Sequence, residues 1–256
     1  MSDLNFKTFI TNQHANDFLN KSFVKKSILN EVIGFHQKQL WFPHEIIYEN
    51  SIDRMIFLHW KKYLSETDIS NEFSSDYFNV YEITNRGLDR FNTAILTLKA
   101  AMKSITSDVK SILPLIIVNS REEDYPLENG CYLFVESSNK LIQLRKWTQP
   151  DIDFLNECNI FFRENQELAI ALAIDLRRSL LLDEIRGYRK TLIDTGRVTN
   201  SFERILKLKS GNLLKTEQIL DFSDNALTKL CGLDVRLAPV ISIQHIIMEE
   251  LECIID

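Results

Sequence analysis

Leu168-Ala-Ile-Ala-Leu-Ala-Ile-Asp-Leu-Arg-Arg-Ser-Leu180 carries leucines at positions 168, 172, 176 and 180. A step of four residues turns about 400° around a helix, so these side chains stack into one stripe and the stretch reads as helical. Upstream, Thr148-Gln-Pro-Asp151 supplies a helix start. The threonine caps, Pro150 fits the first turn, and Asp151 meets the positive end of the dipole. Glu164-Asn-Gln166 marks a bend or break in the run. Read this way, a long helix delivers the chain into Arg177–Thr216 and makes the C-terminal third helical.

That segment holds the charge asymmetry of the sequence. Arg177, Arg178, Arg186, Arg189, Lys190, Arg197, Arg204, Lys207, Lys209 and Lys215 face only Asp183, Glu184, Asp194 and Glu203, a net charge of +6. The whole chain carries −6, so the remainder sums to −12. An acidic balance excludes a protein that coats nucleic acid over its whole surface, and any such contact is local. Phe202, Ile205, Leu206 and Leu208 line one side of a short helix, Lys209-Ser-Gly211 supplies a turn, and Leu213 and Leu214 face back from a second helix.

Phe202-Glu-Arg-Ile-Leu-Lys-Leu208 followed by Asn212-Leu-Leu-Lys-Thr-Glu217 resembles the lambda-repressor-like (Xre) helix-turn-helix, and Glu184–Leu192 is similar to that family's first helix. The resemblance covers residues 184–217, roughly one seventh of the chain. It implies DNA binding, with Asn212, Lys215 and Thr216 at base edges and Arg197, Arg204, Lys207 and Lys209 on phosphates. Glu203 stands where the family has a small residue, and Lys207 where it has a glycine. Either Glu203 faces solvent or the two helices do not cross as in a DNA-reading unit, because an unpaired buried carboxylate costs several kcal/mol.

Ahead of this region the period is also helical. Residues 15–40 and Ile52–Tyr63 read as helices. In the second, Arg54 and His59 have a spacing that resembles the Arg-x(4-6)-His motif of HEPN ribonucleases, which implies a histidine that moves a proton and an arginine that holds a phosphate. His59 lies on the apolar stripe, however, and reads as a core histidine. Leu88, Phe91, Ile95, Leu98, Met102 and Ile105 form a heptad seam over 88–105. Such a seam is expected to pack against a partner helix, of the same chain or of a second subunit in a homodimer.

Between Leu113 and Trp147 the period shortens. Leu115–Val118, Cys131–Val135 and Leu141–Leu144 read as strands, the last two joined by a hairpin at Glu136–Lys140, and Phe78–Ile83 reads as a further strand. Arg121-Glu-Glu-Asp124 reads as a solvated acidic loop. Beyond the sheet, Asn225–Leu230 and Ile241–Ile255 read as two more helices.

The seven glycines, at 34, 87, 130, 187, 196, 211 and 232, are too scattered for a phosphate-cradling loop, so no cofactor is expected. Cys131, Cys158, Cys231 and Cys253 lack the spacing of a metal site and read as buried thiols in a reducing cytoplasm. No apolar run is long enough to span a membrane, and no catalytic triad or dyad assembles.

The expected fold is mainly α with a small antiparallel sheet in the middle (α+β), helical halves flanking a hairpin or meander. It divides into an N-terminal helical region over 1–110 with the heptad helix, a sheet over 111–147, and a C-terminal helical region over 148–256. The expected function is non-enzymatic DNA binding through residues 184–217. The alternative is a helical scaffold or interaction subunit of a multiprotein assembly, and a HEPN-like ribonuclease is the minor alternative.

Overall fold

The computed structural model describes residues 55, 58–59, 62, 78–83, 90–105, 110–120, 127–157, 160, 167–211 and 213–248. All lie in the second of two compact units, Met1–Ile47 and Tyr48–Asp256. In chain order the elements are β1 (Val80–Glu82), α1 (Arg90–Met102), β2 (Ile112–Val118), β3 (Gly130–Val135), β4 (Lys140–Lys146), α2 (Gln149–Glu157), β5 (Leu168–Ile174), α3 (Leu176–Lys209), β6 (Leu214–Ile219), α4 (Asp224–Leu230) and β7 (Val240–Met248). The strands form one seven-stranded sheet in the order β1-β4-β3-β2-β5-β7-β6. Every neighbouring pair is antiparallel.

The mainly helical expectation is thereby corrected: a sheet, not a helical bundle, is the centre of the fold. Leu168–Ile174 is a strand paired along its whole length with β2 on one side and over Leu168–Ala173 with β7 on the other. Its residues alternate large and small. Leu168, Ile170 and Leu172 pack on one face of the sheet, while Ala169, Ala171 and Ala173 pack on the opposite face. A step of four is a multiple of the strand period as well as nearly a helical turn, and pairing on both sides decides in favour of the strand. The region read as the helix Ile241–Ile255 supplies β7, whose described part ends at Met248. The segments read as strands near 78–83, 115–118, 131–135 and 141–144 supply β1 to β4, one side of the same sheet.

Helices cover both faces. α1 and α3 lie on the face of Leu168, Ile170 and Leu172, contributing Ala94, Ile95, Leu98, Val198, Phe202 and Leu206. α2 and α4 lie on the alanine face, contributing Leu155, Leu227 and Leu230, with Trp147 between them. Within the heptad seam, Ile95, Leu98 and Met102 are buried in the chain's own core, where α1 meets the sheet and α3. Leu88 and residues 15–40 lie outside the described residues. Among the described residues no helix is long and apolar enough to cross a membrane.

Two local devices set register. At the β3–β4 hairpin, Asn139 takes a φ of 54°, a left-handed conformation that asparagine tolerates. At the other end of β3, Gly130 takes a φ of 156°, and a Cβ there would sit well inside contact distance of the Arg145 carbonyl oxygen. Gly130→Ala is expected to cost about 2–3 kcal/mol, because the clash is with backbone and β4 cannot move without losing its pairing. Urea unfolding measures this, and a loss below ~0.5 kcal/mol would contradict the close approach.

α2 begins with a reciprocal cap. Asp151 Oδ2 accepts hydrogen bonds from the Thr148 backbone N–H at 2.9 Å and the Thr148 hydroxyl at 2.8 Å, and Oδ1 pairs with Arg145 at 2.6 Å. These donors, the Thr148 backbone first, hold the Asp151 carboxyl below its ordinary range. A depressed folded pKa contributes stability above the unfolded value of about 3.9 and loses it as pH falls through the folded value. Asp151→Asn is therefore expected to narrow the gap to wild type below about pH 4. Melting curves from pH 3 to pH 6 test it, and a constant gap would reject the assignment.

Candidate functional site

Helix α3 rests on a buried polar anchor. Asp175, which follows β5, has extended backbone angles (φ −73°, ψ 100°) and caps the helix through Oδ1, which accepts from the backbone N–H of Arg177 at 3.0 Å and of Arg178 at 3.3 Å. Its other oxygen meets the guanidinium groups of Arg177 at 2.9 Å and Arg178 at 3.4 Å. Asp175 and Arg178 are 2% and 1% exposed. Carboxylate and guanidinium thus neutralise one another where neither can reach water. Beside them the hydroxyls of Ser111, Thr191 and Ser179 form a chain with spacings of 2.9 and 3.0 Å, and Thr191 donates on to the Gly187 carbonyl. The Asp175 N–H donates to the Ser111 carbonyl, which fixes the helix start to the beginning of β2.

From this anchor α3 runs 34 residues, about 51 Å. Thr191, Thr195, Val198, Phe202 and Leu206 are buried along one side. On the opposite side Arg189, Lys190, Ile193, Arg197, Asn200, Arg204 and Lys207 are exposed. The charge asymmetry of the sequence therefore becomes a stripe on the solvent face of one rigid helix. Arg197 pairs with the buried Asp194 at 3.0 Å, and Lys209 donates to the Leu96 carbonyl of α1 at 3.1 Å. Glu203 is exposed.

The residues expected to form a nucleic-acid site separate. Arg197, Arg204, Lys207 and Lys209 lie on α3, whereas Lys215 and Thr216 lie on β6 at the edge of the sheet. Asn212 lies outside the described residues. Of the second helix expected over 212–217, Leu214–Glu217 belong to strand β6 instead, with Thr216 opposite Ile246 of β7. Ser201–Lys209 is the last part of α3 and not a short separate helix. Elsewhere, His59 is exposed rather than in a core, and Arg54 and the acidic loop at 121–124 lie outside the described residues.

A crevice of about 290 Å³ opens between the end of α1, the start of β2, the β3–β4 turn and the middle of α3. Met102, Ile105 and Ile112 form its apolar part, and Lys103, Lys110, Glu136 and Asp194 its charged part. Lys110 and Glu136 lie 3.9 Å apart. This site was missed in the sequence because its members come from four elements.

No family model matches the chain, and no curated protein matches it. Two solved structures share its fold. A candidate nitroreductase from Anabaena variabilis aligns with a TM-score of 0.53 and 16% identity over 83% of this chain and 45% of that one. A chain of the E. coli microcin synthetase McbBCD complex with truncated pro-MccB17 bound aligns with a TM-score of 0.53 and 16% identity over 89% of this chain and 95% of that one. The chain thus spans less than half of the first and nearly all of the second. The fold is nitroreductase-like, and the DNA-binding helix-turn-helix reading is overturned with the helical fold that supported it.

The crevice is small and of mixed charge. An anionic cofactor would face Glu136 and Asp194 as well as Lys103 and Lys110, in a space at the lower limit for small-molecule sites.

The anchor is directly testable. Asp175→Ala removes the carboxylate that lies 3.4 Å from the buried Arg178 guanidinium and is expected to cost about 3–5 kcal/mol, whereas Asp175→Ala with Arg178→Met recovers most of the loss. Denaturant unfolding measures both, and a single-variant loss like that of a surface change, under ~0.5 kcal/mol, would refute it.

Proposed function

We propose that the chain is an interaction subunit of a multiprotein assembly, and that the solvent face of α3 docks on an acidic surface of a protein partner. The observation that carries this reading is the stripe itself. Arg189, Lys190, Arg197, Arg204 and Lys207 share one exposed face, from Arg189 to Lys207 over about 27 Å, while the opposite face is used up by the core. Within it Ile193 is 51% exposed, and near its end Leu208 is 79% exposed. Large apolar side chains set among cations suit an interface with a buried centre and a charged rim.

The alignment with a chain of the McbBCD complex supports the reading, because the two chains are nearly coextensive and that chain belongs to an assembly of several proteins. The crevice with opposed charges gives no comparable support to a reductase. A cytoplasmic setting belongs to the same proposal, supported by the free thiols of Cys131 and Cys231.

The experiment is isolation of the tagged chain from its own cells after amine cross-linking, with Arg189→Glu, Lys190→Glu, Arg204→Glu and Lys207→Glu combined as the control. Cross-links from Lys190 or Lys207 to an acidic segment of one reproducible protein are expected. Its affinity, measured with purified components, is expected to fall at least tenfold from 0.1 to 0.5 M salt and to be lost in the variant. Equal capture by the reversed variant, a chain that stays alone, or preferential capture of duplex DNA would each overturn the reading.

A further inference from the structure

Two cysteines meet across the alanine-side interface of the sheet. Cys131 is on β3, and Cys231 caps the C-terminal end of α4. Both are free, both are fully buried, and both belong to the core cluster on the alanine side of the sheet, where Cys231 is the thiol that bears on Cys131. Their proximity follows from contacts that surround them. Trp147 Nε1 donates to the Leu230 carbonyl at 2.8 Å, and an Arg145 guanidinium N–H donates to the Lys229 carbonyl at 3.0 Å. Gly232, with a φ of 78°, lets the chain pass close to the Leu144 carbonyl. Residues 229–232 are thus laid along 144–147, the end of β4 and the residue after it, and Cys131 is the cross-strand neighbour of Arg145.

We propose that Cys131 and Cys231 are a paired modification site, a dithiol that closes into a reversible disulfide between α4 and the sheet when it meets a small-molecule disulfide such as oxidised glutathione. In the closed structure the pair is protected. Neither thiol is exposed, and burial, with the neighbouring Cys231 thiol adding to it, pushes the Cys131 thiol well above its ordinary range. The thiolate is the reacting species, so exchange waits for α4 to lift from the sheet. α4 is seven residues long and is held by Leu227 and Leu230 in the core, by the Val240 N–H donating to Thr228 Oγ1, and at its last turn by Arg145 and Trp147, so opening this one short element uncovers the pair without unfolding the whole sheet.

The reaction balances. With α4 lifted, the Cys231 thiolate attacks one sulfur of the small disulfide, forming a mixed disulfide and releasing one thiolate. The Cys131 thiolate then attacks the Cys231 sulfur, forming the protein disulfide and releasing the second thiolate. The two protons lost by the cysteines go to the two released thiolates. The protein is oxidised by two electrons, and the small disulfide is reduced to two thiols. Because the bond joins positions about 100 residues apart, it restricts the unfolded chain strongly and ties α4 to the core.

The test uses the full chain with Cys158→Ser and Cys253→Ser, so that only this pair can close. It is incubated with oxidised glutathione at increasing urea below the unfolding midpoint, followed by alkylation, intact mass and peptide mapping. The expected product has lost two hydrogens, carries no alkyl group and yields one cross-linked peptide containing Cys131 and Cys231. Its melting temperature is expected to rise by roughly 5–10 °C and to return on reduction with dithiothreitol. The Arg145→Ala variant, which loosens the last turn of α4, is expected to close severalfold faster. Stable glutathione adducts with no cross-link, or two alkylated thiols at every urea concentration below the midpoint, would overturn the proposal. A cross-link that forms no faster in Arg145→Ala would reject the route through opening of α4.

Discussion

The buried pair of Asp175 and Arg178 is the constraint on which the arrangement of the molecule depends. It sits where a central strand ends and the longest of the described helices begins, and it must serve both. Asp175 satisfies two N–H groups of the first turn of α3 and the charge of a guanidinium that is almost wholly out of water. Its own N–H closes on Ser111 of the incoming β2. A carboxylate so used has no freedom of direction. The angle at which α3 leaves the sheet is therefore set within one residue, and the path of its remaining turns follows from helical geometry.

From that angle the division of the core follows. α3 crosses the face bearing Leu168, Ile170 and Leu172, meets α1 there, and buries Val198, Phe202 and Leu206 between them. The other face of β5 offers only alanines, and the side chains that fill the space come from the opposing elements: Leu155, Leu227, Leu230 and Trp147. Large residues on one face and small on the other let a single strand serve two unequal layers, which explains why it is apolar on both sides.

Much of the fold was legible in the sequence where one period stood alone. Leu141–Leu144 and Cys131–Val135 gave strands because their β-branched and aromatic residues fit no helical stripe, and Thr148–Asp151 gave a helix start because each residue suits its place in a cap. Leu168–Leu180 misled because its leucine spacing of four satisfies both periods. Ile170 and Ile174 held the missing signal: on a helix they would point away from the leucine stripe, leaving an all-round apolar cylinder directly beside a charged one. Ile241–Met248 misled in the same way, since a strand buried on both faces loses its alternation. Pairing with distant strands resolved each case, and partners far apart in sequence leave no local trace. The site was partly legible: the charge of 177–216 was visible, but whether its cations shared one helix or two depended on Leu214–Ile219 being a strand.

The geometry of α3 also explains why its charges suit a partner better than solvent alone. Arg186 and Lys190 lie four residues apart, and Arg204 and Lys207 three apart, spacings at which like charges repel by about 0.2–0.5 kcal/mol per pair. Lys207 and Lys209, in the last turn, gain from the negative end of the helix dipole, but the cations of the middle turns gain nothing from it. Few acidic residues share the exposed face: Asp194 is itself buried and pairs with the exposed Arg197, which leaves Glu203 along the described turns. The helix keeps its shape because the opposite side is packed and its start is capped, so the cations are held in place rather than free to spread. An acidic surface laid along the stripe would relieve the repulsion between neighbouring cations as well as form new pairs. A flexible basic tail lacks that first contribution, because it relaxes its own repulsion by extending and must be ordered on binding.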